Sequence, residues 1–277
     1  MMIQKILVEN FDSRDHYETY GDTTRTPFGV VDAMKLVINT GMGMGIETSF
    51  DLMSMPREDL YSVSELFPSA GFIMVRPVNT HMAYSTLTMA RAKSTASREI
   101  KIPDRFDRYG GLDLDVPAFD KVFFLPGSNI LMKHFPTPDP LIGLAECGWV
   151  FKMHPLTMSE IRKELIDLLG ADKVMYKGAR ASSLFKKARK VGCCNNSEIG
   201  LTAILKGKEM SLQGTQPPQG GYYPLYALVK QDLPAAKQII ESLAGNWESG
   251  IFHKDDPDLQ EKVIAYYEHQ KSLWAFS

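Results

Sequence analysis

The apolar and polar positions divide the chain into a regular second half and a less regular first half. In the second half, apolar runs of about five residues alternate with helical patterns of about ten or more, which predicts a parallel sheet flanked by helices. A sheet of this kind binds its ligands at the carboxyl ends of its strands. The predicted strands are 120–128, 149–155, 173–178, 191–197 and 209–213, and the predicted helices are 138–147, 157–170, 179–190 and 198–207.

The first half shows weaker patterns. Residues 4–10 and 71–78 are predicted as strands, and residues 31–38 as a helix. The segment 104–120 is rich in Asp, Gly and Pro, which is typical of a linker. We therefore expect two α/β domains, 1–118 and 119–277. Helical patterns near 222–229, 233–244 and 258–272 would complete the second domain.

Composition indicates a soluble globular protein, with 44% hydrophobic and 23% charged residues among 277. No apolar run approaches the ~18 residues that cross a bilayer, and MMIQKILVEN lacks the layout of a signal peptide. Three cysteines are too few for a disulfide framework, and adjacent Cys193 and Cys194 lack the spacing of a zinc site. We expect a cytoplasmic enzyme or binding protein.

Charge is distributed unevenly, although the net charge is only −2. The segment 173–208 contains nine basic residues and one acid, Glu198, for a net +8. Two interpretations remain open: a solvated helix face, or a positive surface for the phosphates of a nucleotide or a polymer.

The stretch FKMHPLT (151–157) is the first candidate site. Its strand should end at the carboxyl edge of the sheet, where Thr157 and Glu160 predict a capping box that opens the next helix. Helix N-termini attract anions, and Pro155 restricts the backbone of His154. The imidazole of His154 could donate a hydrogen bond to a phosphate oxygen, or the histidine could only complete a turn.

A second polar turn follows a neighbouring strand, where Asn195, Asn196 and Ser197 precede a helix. Such side chains serve as helix caps by default, or join free N–H groups in a phosphate cradle. The glycines of NTGMGMGIETSF (39–50) have GxGxG spacing after a helical pattern, not the GxxG ending of a dinucleotide fingerprint after a strand. We interpret that segment as a loop lining the cleft.

FKMHPLT and the later NNSEIGLTAILKGKEMSLQG together resemble the donor-binding half of GT-B glycosyltransferases. The resemblance is greatest to bacterial capsule polysaccharide transferases and the related polysialyl- and glycerolphosphate-transferases, and it covers residues 120–229. It implies two Rossmann-like domains, with a short N-terminal domain for the acceptor, and it implies that His154 and Ser197 contact the donor's phosphates. The sequence departs from the group at Thr202, where a glutamate on the donor's ribose is usual, and at Glu209, where proline is usual.

This resemblance implies transfer of a sugar from a nucleotide-activated donor, linked to UDP, CDP or CMP, to a hydroxyl group. Such enzymes stabilise the departing phosphate with helix N-termini and polar or basic side chains, without a metal or other cofactor. The candidate general bases are Asp12 and His16, in the loop after the first strand. The candidate donor-binding residues are Ser128, Lys133, Lys152, His154, Pro155, Arg180, Asn196, Ser197, Glu198 and Thr202.

The acceptor is open. The basic segment would suit a polyanion, either an acidic polysaccharide or DNA with a hydroxymethylated base. Two other functions remain as alternatives: a sugar-nucleotide epimerase or hydrolase of the same architecture, and a nucleotide-binding protein without catalysis.

Overall fold

The computed structural model describes residues 5–8, 30–49, 60–77, 97–107, 111–113, 118–155, 157–175, 178–195, 197–214 and 223–274. The chain forms two compact units: a first unit of Met1–Lys101 with Ala227–Ser277, and a second unit of Ile102–Tyr226. The sequence prediction instead divides the chain after residue 118 and keeps the C-terminal helices with the second half.

The strands of the described residues are β1 Lys5–Val8, β2 Glu47–Ser49, β3 Leu60–Phe67, β4 Phe72–Pro77, β5 Phe119–Phe124, β6 Val150–Lys152, β7 Val174–Met175, β8 Ala188–Cys194, β9 Glu209–Gln213 and β10 Ile251–His253. The α-helices are α1 Val31–Gly43, α2 Ser128–His134, α3 Asp139–Glu146, α4 Ser159–Leu169, α5 Ala181–Lys187, α6 Glu198–Leu205, α7 Tyr223–Val229, α8 Ala236–Ala244 and α9 Leu259–Trp274.

The first unit contains a mixed sheet in the order β10-β4-β3-β1-β2. β1 is parallel to β2 and β3, whereas β4 is antiparallel to both β3 and β10. The expectation of a parallel sheet in this half therefore fails at β4. A single short turn, Pro68–Ala70 followed by Gly71 at φ +80°, joins β3 to β4. A connection this short can join only antiparallel strands.

The C-terminal segment belongs to the first unit because its side chains complete that core. Tyr266 and Tyr267 of α9 are buried against Tyr61, and the Tyr266 hydroxyl donates to the carbonyl of Val75 at 3.0 Å. Gly250 lies so close to the Val75 carbonyl that a Cβ there would overlap it, and its φ of +75° also favours glycine.

The second unit contains a fully parallel sheet in the order β7-β6-β5-β8-β9. Counted from β5 this is the order 3-2-1-4-5 of doubly wound α/β folds. Phe123 and Phe151 pack under α2, α3 and α4, whereas Val122 and Phe124 pack under α5 and α6 on the opposite face. The predicted parallel sheet flanked by helices is confirmed here.

The elements predicted for this region are all present; β9 has the predicted bounds 209–213, and the others have shifted ends. Helix α5 ends at Lys187 and β8 begins at Ala188, three residues before the predicted start at 191. Helix α2 is an addition to the prediction, which has no element between the strand 120–128 and the helix 138–147. Among the described residues, no helix combines the length and apolar character that crossing a membrane requires.

Candidate functional site

The turns after β5, β6 and β8 all follow the carboxyl edge of the second unit's sheet. Phe124 of β5 is level with Lys152 of β6 on one side and with Cys193 of β8 on the other. The order in which the strands are added to the sheet reverses at β5, because β6 and β7 lie on one side of it and β8 and β9 lie on the other. In doubly wound sheets a ligand binds at this point, outside the carboxyl ends of the strands. His154 and Ser197 therefore flank the turn that follows β5.

The turn after β5 contacts the turn after β6. The imidazole of His154 is half-buried beside Gly127, where a Cβ built on the glycine would lie 3.7 Å from Nδ1. The next residue, Ser128, accepts a hydrogen bond at its hydroxyl from the Met158 N–H, at 2.9 Å. Two predicted donor-binding residues, Ser128 and His154, are thus neighbours at this edge.

The predicted capping box at Thr157 is wrong. Helix α4 begins at Ser159 after Met158, and no side-chain bond caps it from the N-cap position. Thr157 is buried, and its N–H donates to the carbonyl of His154 at 3.0 Å. This bond closes a turn from His154 to Thr157, and α4 begins two residues after Thr157, at Ser159.

Lys152 is the last residue of β6, and only 2% of its surface is exposed. Its Nζ donates to the carbonyl of Met153 at 2.5 Å. Burial lowers the pKa of Lys152 to about 8, although the charge of Asp107 acts in the opposite direction. Near neutral pH the ammonium therefore contributes positive potential at the end of β6 from inside the protein.

Arg180 stands at the start of α5 and is held by acids from the segment before β5. Its Nε lies 3.0 Å from Asp113, its Nη2 donates to the carbonyl of Gly111 at 2.7 Å, and its Nη1 lies 3.8 Å from Asp107. Asp107 also accepts hydrogen bonds from the N–H, at 3.0 Å, and the hydroxyl of Ser182. The carboxylate of Asp107 therefore already binds the first turn of α5.

Asp107 was missed by the sequence interpretation, which assigned 104–120 to a linker. The described part of that segment instead belongs to the second unit. Leu112 pairs with Ala179 in a parallel bridge, and the side chain of Asp107 is only 4% exposed. The signal in the sequence is the number of acids in DRFDRYGGLDLD, which has aspartates at 104, 107, 113 and 115.

Ser197 is the N-cap of α6, and its hydroxyl accepts a hydrogen bond from the Ile199 N–H at 3.3 Å. The capping interpretation of this serine is confirmed. A capping hydroxyl keeps its own proton for donation to another acceptor. Glu198 is half-buried in the first turn, whereas Thr202 is only 2% exposed.

Of the remaining predicted residues, the two that the structure describes are solvent-exposed. Pro155 is exposed, and Lys133 is exposed in the last turn of α2. Asp12, His16 and Asn196 lie outside the described residues. Within the described ranges, no group of three or more His, Cys, Asp or Glu residues is arranged to hold a metal ion.

The basic segment 173–208 is paired with acids from outside it. Besides the pairs of Arg180, Arg189 lies 2.5 Å from Asp120 and 3.2 Å from Glu209. Lys190 lies 2.5 Å from Glu209, and Lys206 lies 3.4 Å from Asp104. Counting these five acids lowers the net charge of the region from +8 to +3.

No protein family model matches the chain, and no curated protein matches it by sequence. Among solved structures, the chain is similar to the spinosyn rhamnosyltransferase SpnG, at 16% sequence identity and a TM-score of 0.33. The likeness covers 68% of this chain and 51% of that one, so the chain spans about half the length of the enzyme it resembles. At this TM-score the likeness assigns neither a family nor a fold.

Proposed function

We propose that the protein is a metal-independent glycosyltransferase of GT-B type. It would transfer a sugar from a donor linked to UDP, CDP or CMP to the hydroxyl group of an acceptor. The observation that carries this proposal is the meeting of the β5 and β6 turns, where His154 packs beside Gly127 and Ser128 binds the start of α4. The doubly wound strand order makes this edge the expected ligand crevice.

The donor's phosphate would bind between the turns that follow β6 and β8. The hydroxyls of Ser128 and Ser197 each accept one backbone N–H, which leaves each proton for a phosphate oxygen. The imidazole of His154 would donate a third bond. Lys152 adds a positive charge from the protein interior, where the surroundings screen it less than water does.

Transfer breaks the bond between the anomeric carbon and the phosphate oxygen, and the phosphate keeps the electron pair. Hydrogen bonds and positive potential at that oxygen stabilise the charge as it develops. The acceptor's hydroxyl oxygen forms the new bond to the anomeric carbon, and its proton passes to a general base, for which we propose Asp12 or His16.

For the acceptor we propose a polyanion, an acidic polysaccharide or DNA with a hydroxymethylated base. The remaining positive charge of residues 173–208 supports this, though less strongly than the sequence does, since ion pairs lower it to +3. Turnover with such an acceptor should fall steeply as salt is raised, because counterion release favours binding. Equal turnover at low and high salt would remove the polyanion from the proposal.

One observation favours a second function, a nucleotide-binding protein without catalysis. The position at which related transferases usually carry a ribose-binding glutamate is Thr202, which is buried in α6. A protein that lacks this contact could retain phosphate binding and lose the geometry of transfer.

The test is nucleotide release from UDP-, CDP- and CMP-sugars, measured with and without acceptor, in wild type and in His154→Ala. A transferase releases nucleotide in proportion to a glycosylated acceptor, and the variant loses this activity. Release without an acceptor indicates a hydrolase, and a changed sugar on an intact nucleotide indicates an epimerase. Binding without any release would establish the non-catalytic function and refute the proposed one.

A further inference from the structure

The hydroxyl of Tyr226 lies in the first turn of α6, the helix that Ser197 opens. It donates to the carbonyl of Ser197 at 2.5 Å and accepts from the N–H of Leu201 at 3.0 Å. In an α-helix these two backbone groups are each other's partners, because each N–H donates to the carbonyl four residues earlier. The tyrosine hydroxyl therefore bridges the first hydrogen-bonded pair of the helix.

Three described helices of the second unit, α2, α4 and α5, begin with the direct bond instead. The corresponding N–H donates directly to the N-cap carbonyl from Leu131 to Gly127 at 3.0 Å, and from Arg162 to Met158 at 3.0 Å. The same bond runs from Leu184 to Arg180 at 3.2 Å. The arrangement at Ser197 is thus a local feature of α6.

Cys193 and Gly200 enclose this hydroxyl. Tyr226 is fully buried, and its oxygen lies 4.0 Å from the thiol sulfur of Cys193. Gly200 faces it so closely that a Cβ would overlap the hydroxyl oxygen. A glycine in a helix interior costs about 1 kcal/mol of stability relative to alanine, so this close approach is a reason for its presence.

We propose that Tyr226 is a positioning residue for the donor site, and this rests on the proposed function. Its hydroxyl fixes the carbonyl of Ser197 and so sets the direction of the peptide from which the Ser197 side chain extends. The Ser197 hydroxyl, held by the Ile199 N–H, then points its remaining proton at the phosphate. Tyr226 itself does not touch the ligand.

The test is a double-mutant cycle with Tyr226→Phe and Ser197→Ala, in which calorimetry measures the affinities for UDP, CDP and CMP. Tyr226→Phe removes only the hydroxyl. The matched control is Tyr266→Phe, which removes an equally buried hydroxyl from the first unit, where it donates to Val75. Hydrogen exchange of residues 197–201 is measured on the same proteins without nucleotide.

We expect each single variant at the site to weaken binding by at least about tenfold, as the loss of a hydrogen bond to a charged group does. In the Ser197→Ala background, Tyr226→Phe should cost less than about twofold, because it acts through the serine. Tyr266→Phe should lower the melting temperature and leave nucleotide affinity unchanged. Exchange at 197–201 should be faster in Tyr226→Phe alone.

If Tyr226→Phe weakens nucleotide binding equally in wild type and in Ser197→Ala, Tyr226 contributes only to general stability and the inference is overturned. Wild-type affinity in Tyr226→Phe would overturn it as well, while the proposed function stands. If wild type binds no nucleotide, the proposed function fails first. The positioning claim is then decided by hydrogen exchange, and unchanged exchange at 197–201 refutes it.

Discussion

The hydroxyl of Ser128 accepts a hydrogen bond from the Met158 N–H at 2.9 Å, and this bond joins the turns after two neighbouring parallel strands. Ser128 opens α2 after β5, and Met158 precedes α4 after β6. One side chain thus satisfies an N–H at the start of a different helix. His154 belongs to the second of these turns and lies beside Gly127 of the first.

Replacing Ser128 with alanine should lower the free energy of unfolding by about 1 kcal/mol, because an N–H at a helix start loses its partner. The same change should weaken nucleotide binding. Chemical denaturation and calorimetry measure the two effects. Ser159→Ala, an exposed serine in the first turn of α4, is the control and should change neither. A Ser128→Ala protein as stable as wild type would contradict the structural role of this bond.

Gly127→Ala should leave the fold intact and weaken nucleotide binding. The glycine has φ −62° and ψ 157°, which any residue adopts, so the backbone does not require glycine. An added Cβ would lie 3.7 Å from Nδ1 of His154, in ordinary contact, and would narrow the approach to the imidazole. Gly127→Val should weaken binding further, as measured by calorimetry.

The control for Gly127 is Gly143→Ala. Gly143 lies within α3 with nothing near its missing Cβ, so alanine should raise stability by up to about 1 kcal/mol and leave affinity unchanged. If Gly127→Val binds nucleotide as tightly as wild type does, the ligand does not approach His154 from this side.

Nucleotide affinity should fall as the pH rises through about 8, because Lys152 loses its charge there. Lys152→Met should bind weakly at every pH, with no transition near 8. The free energy of unfolding should instead rise with pH. The pKa of Lys152 in the folded protein lies below its unfolded value of 10.5, so the folded protein releases this proton at a lower pH than the unfolded chain does. The free energy of unfolding therefore rises by roughly 3 kcal/mol between pH 8 and 10.5. Affinity that is constant from pH 7 to 9.5 would show that Lys152 does not act on the ligand.

Asp107→Asn should destabilise the second unit by about 1–3 kcal/mol, because it removes a buried carboxylate that caps α5 and lies beside Arg180. Asp113→Asn is the control, since Asp113 also binds Arg180 but is half exposed, and it should cost less. Urea denaturation measures both. Equal effects of the two variants would mean that burial of Asp107 adds nothing.

The parallel sheet of the second unit was predictable because its strands are short apolar runs. Val122, Phe123 and Phe124 are buried on alternate faces, which produces an uninterrupted apolar run in the sequence. β3 was missed for the opposite reason. Its Ser62, Ser64 and Glu65 are polar yet buried, so the local pattern does not indicate a strand.

The positions of His154 and Ser197 after the ends of β6 and β8 were predictable from the sequence, while their binding of a phosphate stays a prediction. The site was not predictable where partners are distant in sequence. Asp107 binds Ser182 across 75 residues, and Tyr226 binds Ser197 across 29. The +8 of residues 173–208 misleads for the same reason, since acids outside the segment pair with four of its basic residues.

The measurement that tests the central claim most directly is calorimetric titration of wild type, His154→Ala and His253→Ala with UDP, CDP, CMP, GDP and ADP. His253 is a half-buried histidine of the first unit and serves as the control. We predict that wild type and His253→Ala bind one pyrimidine nucleotide selectively and that His154→Ala binds it at least about tenfold more weakly. No binding of any nucleotide by wild type, or equal binding by His154→Ala, would contradict the account.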